Sequence, residues 1–138
     1  MLQRQTDELN PADWFFFAKE RLRAADAIWK VEGLTASGIE VLQEATERML
    51  KGYLIAMGWR LVKTHDLVQL VEEAEQYNAG FTAFRNMAVE LTADFFAQHY
   101  PGHDMTNVGS NYQSWRRDVD DLVSTIATAL PAYANDLK

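Results

Sequence analysis

Side chains able to handle a proton near neutral pH are scarce in this sequence: there is no cysteine and there are three histidines. His65 has the most suggestive neighbours. In Arg60-Leu-Val-Lys-Thr-His65-Asp66, a guanidinium precedes an imidazole by five positions and a carboxylate follows at once. Arginine offers a forked donor set that matches phosphate and offsets charge as it develops. Histidine can take a hydroxyl proton near neutral pH. Lys51 adds a cation upstream, and Trp59 and Tyr100 offer flat rings for base stacking. These residues also have ordinary roles. His65 can bond a neighbouring helix, Asp66 can complement a helix dipole, Lys51 can pair with Glu47, and Tyr100-Pro101 can end a helix.

Other chemistries find less support. A carboxylate-bridged metal pair in a helical bundle needs Glu-x-x-His. The residues three before His65, His99 and His103 are Val62, Phe96 and Tyr100. His99 and His103 are separated by Pro101-Gly102, which keeps them off a shared helix face. There is no glycine-rich phosphate cradle and no Gly-x-Ser-x-Gly elbow. Neither a metal nor a cofactor is expected.

The balance of charge narrows the partners. Thirteen Lys and Arg against twenty Asp and Glu leave a net charge of −7, which disfavours a free-standing, non-specific nucleic-acid binder. The cations cluster at Lys19, Arg21, Arg23 and Lys30, at Arg48, Lys51, Arg60 and Lys63, and at Arg116 and Arg117; on pattern alone these read as solvated helix faces. Lack of cysteine favours a reducing, cytoplasmic setting. The opening MLQRQTDELNP is not expected to be a signal peptide, and no apolar stretch is long enough for a membrane span.

Five segments with helical period must position these residues. The first begins at Asn10-Pro11, carries Phe15, Ala18, Leu22, Ala25 and Trp29 on one stripe, and fades near Gly33. The second opens on a capping-box pattern, Ser37-Gly-Ile-Glu40, and runs through Ile39, Leu42, Ala45, Met49, Tyr53 and Ala56 to Gly58. It holds the pairs Glu44–Arg48 and Glu47–Lys51. The third starts from Thr64 as cap, with Leu67, Leu70, Val71, Ala74 and Tyr77 inward. The fourth carries Phe81, Phe84, Ala88, Leu91 and Phe95 and closes at Tyr100-Pro101-Gly102. The fifth opens at Ser110, with Trp115, Val119, Leu122, Ile126 and Ala129 inward, and stops at Pro131. No segment alternates with period two. The expectation is a single domain over 1–138, all-α, folded as an antiparallel up-and-down bundle of four to five helices. Trp14, Phe16, Phe17, Trp59 and Phe96 fall off the stripes and suggest a homodimer face.

Within that frame, several motifs resemble one family. Leu42-Gln-Glu-Ala-Thr-Glu-Arg-Met-Leu-Lys-Gly-Tyr-Leu54, then Thr64-His65-Asp66-Leu67 with Leu70, then Tyr100-Pro101-Gly102 are similar, in this order, to signatures of the HEPN family. Trp14, Ala18, Leu22 and Ala25 fit that family's first helix. The resemblance covers roughly residues 11 to 130. It implies a bundle of four or five helices, usually a dimer, that binds nucleotide or RNA and often works with a minimal nucleotidyltransferase, and it makes Lys51, Arg60, His65, Asp66 and Tyr100 the candidate ligand contacts.

Some members are toxins that cut RNA without metal, using an Arg followed by a His after four to six residues. Arg60 and His65 have that spacing but sit in the connection before the third helix. Phe84-Arg85-Asn86-Met-Ala-Val89 resembles the nuclease branch, but Glu90 stands where its His would be. A carboxylate there would repel the phosphate. Arg60, His65 and Arg85 are thus the catalytic candidates of a chain expected to be a poor or inactive ribonuclease. The leading expectation is a nucleotide- or RNA-binding module. The alternatives are a structural helical dimer that docks a partner protein and an active, metal-independent ribonuclease.

Overall fold

The computed structural model describes residues 4–98, 101–102 and 108–138. Five α-helices follow one another: α1 (Pro11–Glu32), α2 (Ala36–Ala56), α3 (Leu67–Glu75), α4 (Arg85–Ala97) and α5 (Val108–Ala129). Short 3-10 turns span Ala79–Phe84 and Pro131–Tyr133, and the described residues contain no strand. The all-helical bundle expected from the sequence is the fold.

A long hairpin of α1 and α2 forms its foundation. Asn10 caps α1 by accepting the Ala12 N–H at 3.0 Å, and Gly33 ends it at a positive φ of 71°. The two helices touch closely because Gly52 lacks a side chain: a Cβ there would lie 2.4 Å from a ring carbon of Phe15. Phe15 is thereby sealed in the core. α2 is the central element and packs against α1, α3, α4 and α5. From α5, Trp115, Val119, Leu122 and Ile126 close the core.

Several boundaries differ from expectation for local reasons. α2 starts from Thr35, whose Oγ1 accepts the Gly38 N–H at 2.9 Å, and not from a box at Ser37. Thr35 is the first competent cap after Gly33, so Ser37 is already helical. α3 is capped by Asp66, whose Oδ1 accepts the Val68 N–H at 2.9 Å, and not by Thr64. Thr64 and His65 stay out of the helix because side chains of α2 hold their carbonyls. Residues 79–84 are a 3-10 turn instead of the first turns of a single fourth helix. Residues three apart eclipse in that geometry, which sends Phe81 and Phe84 to the core together. Tyr77 is exposed because α3 ends at Glu75, and α5 begins at Val108 ahead of Ser110. The expected end of the fourth helix at Tyr100 lies outside the described residues.

Of the aromatics off the stripes, Trp59 packs against the core, Trp14, Phe16 and Phe17 are half-buried, and Phe96 is exposed. No helix among the described residues is long and apolar enough to cross a membrane.

Candidate functional site

Successive turns of α2 place Gln43, Glu47 and Lys51 in one row, four residues apart. The row faces the non-helical connection from Trp59 to Asp66. Lys51 Nζ donates to the Thr64 carbonyl at 2.8 Å, and Gln43 Nε2 donates to the His65 carbonyl at 2.6 Å. The backbone entering α3 is therefore hung from α2 by two side-chain donors.

Glu47 joins the parts. One carboxylate oxygen takes Lys51 Nζ at 2.8 Å, and the other takes His65 Nδ1 at 2.8 Å. Glu47 and Lys51 are 7% and 4% exposed, so this ion pair lies inside the fold. Lys51 also lies 5.8 Å from the ring centre of Trp14. His65 is the opposite case: 70% of its side chain is exposed, with the Phe95 ring centre 6.5 Å away. An ionised carboxylate only accepts hydrogen bonds, so Nδ1 carries a proton, and in the neutral ring Nε2 is the bare nitrogen. The imidazole is thus fixed from below by a buried carboxylate and presents its other nitrogen as acceptor or base.

The remaining candidates sort themselves by what holds them. Arg60 is exposed and makes no hydrogen bond or ion pair among the described residues. Asp66 uses its carboxylate as the cap of α3, as the dipole argument for its position implies. Lys51 is an internal brace whose ammonium is occupied by Glu47 and Thr64. Arg85 stands apart and donates to Glu75 at 2.8 Å. That bond, helped by Thr82, holds the Glu75 carboxyl below its usual range. Glu90 accepts the Trp115 indole N–H at 2.9 Å, so this acid ties α4 to α5. Tyr100, His99 and His103 lie outside the described residues. Among those described, no group of three His, Cys, Asp or Glu could hold a metal.

Sequence reasoning missed Gln43 and the double role of Glu47. A signal existed: three polar residues at four-residue spacing run along a helix whose neighbouring faces are buried. Periodicity alone does not say what such a row holds. Gln43 Oε1 has no hydrogen-bond partner among the described residues and is buried beside this junction.

The family model described as HEPN domain matches residues 12–130, nearly the whole helical body. Neither the curated proteins nor the solved structures contain a match to the chain.

Proposed function

The chain belongs to the HEPN domain family, a family of nucleotide- and RNA-related modules, and we propose that it binds a nucleotide or RNA phosphate at the rim where α3 begins. The supporting observation is the Glu47–His65 bond: a buried acid orients an exposed imidazole, a construction with no need to exist for capping alone. Arg60 and Lys63, in the same exposed connection, supply cations for phosphate. Lys51 supports the rim from within. A partner such as a minimal nucleotidyltransferase would complete the unit, and the chain would act as a homodimer.

Calorimetry with nucleoside triphosphates and short RNA, with the chain alone and with a nucleotidyltransferase encoded beside it, tests this reading. Binding weakened about tenfold by His65→Ala and by Arg60→Ala supports it. No binding in either setting refutes it. Cleavage is not part of the proposal, because Arg85 is paired with Glu75 and Glu90 is bound to Trp115. Metal-free degradation of tRNA or mRNA that is lost in His65→Ala would establish the ribonuclease alternative.

A further inference from the structure

Residues 4–10 run over the first two turns of α1 without entering the core: all of them are exposed, Leu9 to 70%. Three side chains of α1 hold them. The Asp13 carboxylate, 4% exposed, takes the Arg4 guanidinium in an ion pair and accepts the Asp7 N–H at 2.8 Å. The Phe16 ring lies under that guanidinium, its centre 4.6 Å from Arg4 Cζ. The Trp14 indole N–H donates to the Glu8 carbonyl at 2.8 Å. Arg4 apart, the segment brings only backbone groups to these contacts, and any extended chain carries those.

The segment also leaves space beside it. A cavity of about 320 Å³ opens between Thr6 and Glu8 on one side and Trp14, Phe17, Arg21 and Arg48 on the other. Trp14 and Phe17 offer it half-buried aromatic surface. Arg21 and Arg48 are held by Glu44 at 2.9 and 3.3 Å, and Arg21 lies more loosely, at 3.8 Å, from Glu20. Each guanidinium keeps further N–H donors for a carbonyl. A segment that served only to pack against this helix would fill the cavity, and the short side chain of Thr6 does not.

We infer that the first two turns of α1 are a docking site for an extended segment of a partner protein, one that brings an arginine to Asp13 and Phe16 and an apolar side chain to the space beside Trp14 and Phe17. Residues 4–10 occupy this site in cis until the partner replaces them. Arginine is required because its planar guanidinium pairs with a carboxylate and lies flat on a ring at once, which an ammonium does not do. The net charge of −7 favours the approach of a positively charged segment. Exposed polar contacts hold residues 4–10 weakly, and Asn10, which caps α1, can stay in place when they lift away. The inference does not depend on what binds at His65.

A blocked peptide with the sequence of residues 4–10, titrated into the full chain carrying Arg4→Ala, tests this through the NMR signal of the Trp14 indole N–H. The peptide should move that signal. It should bind the native chain about tenfold more weakly, because Arg4 competes there at high effective concentration. Lysine in place of the peptide's arginine should weaken binding about tenfold. Leucine in place of its threonine should tighten binding about tenfold by filling the cavity. Asp13→Asn or Phe16→Leu, each added to Arg4→Ala, should weaken binding about tenfold, and either variant suffices if the other does not fold. No Trp14 response at millimolar peptide overturns the inference. So do equal affinities for the native and Arg4→Ala chains, indifference to lysine, indifference to the loss of Asp13 or Phe16, or a leucine peptide no tighter than the threonine one. An Arg4→Ala chain that no longer melts cooperatively also overturns it, since Arg4 would then be a structural brace.

Discussion

Glu47 divides one buried carboxylate between a buried ammonium and an exposed imidazole, and the two partners have different consequences. Removing the acid leaves Lys51 charged and unpaired in the interior, which costs about 3–5 kcal/mol. A domain of this kind has about 5–15 kcal/mol in total, so Glu47→Ala should show a large fall in the urea midpoint. Converting both partners, Glu47→Leu with Lys51→Met, should recover much of that loss, since no lone charge remains. The double variant would still lack the group that orients His65, so restored folding with unrestored binding separates the two roles. Tyr112 gives a pH signature. Its proton is held more tightly in the folded chain, with a pKa of about 12 against the ordinary 10.0, chiefly through burial. Its contribution to stability is complete below pH 10 and is lost as the pH rises to about 12. Unfolding midpoints measured across that window should fall in the native chain and fall less in Tyr112→Phe.

At the level of elements, the α1–α2 contact and the start of α3 are the sensitive joints. Gly52→Ala would drive a methyl into the Phe15 ring, and a sealed ring has little freedom to retreat. The expected loss is about 1–3 kcal/mol by chemical denaturation. Asp66→Ala removes the cap of a nine-residue helix and should cost about 1 kcal/mol. That change should also blur the position of His65, since the cap fixes where the helix starts. On α5, burial and then Asp121 push the Asp118 carboxyl up, with Glu90 adding a little. A raised carboxyl contributes stability at pH below its ordinary range and loses it as the pH climbs through the raised value. Asp118→Asn should therefore stabilise at pH 7, by about 0.5 kcal/mol after allowance for partial exposure, and not at acid pH. Helix existence was legible in the stripes, but these joints were not. Thr35 and Asp66 act as caps because of what precedes them and what holds their neighbours, and local pattern does not contain that.

The whole molecule is acidic, with a net charge of −7, and the rim offers few cations. Arg60 and Lys63 together can displace about two counterions from a single strand. Affinity for RNA should therefore vary shallowly with salt, with a log–log slope of ~−1 to −2, as fluorescence anisotropy would measure. A much steeper slope would mean that a larger basic surface, such as one completed by a second copy or a partner, takes part. The bundle is also tied across its width: Arg116 of α5 bridges to Asp26 of α1, and Trp115 of α5 reaches Glu90 of α4. These ties make α5 a structural closure.

Apolar residues recurring every three or four positions, broken by Gly33, Gly58, Asn78 and Pro131, were enough to specify an all-helical bundle, because burial of one stripe per helix is a one-dimensional property. The sequence could not show that Glu47 turns away from simple surface pairing to hold His65, or that Gln43 and Lys51 suspend the backbone beside it. Nor could it show that Tyr112 is sealed against Trp29 with its hydroxyl unmet among the described residues. Those facts depend on how helices cross, and crossing brings together residues as far apart as Trp29 and Tyr112, whose relation no local spacing records.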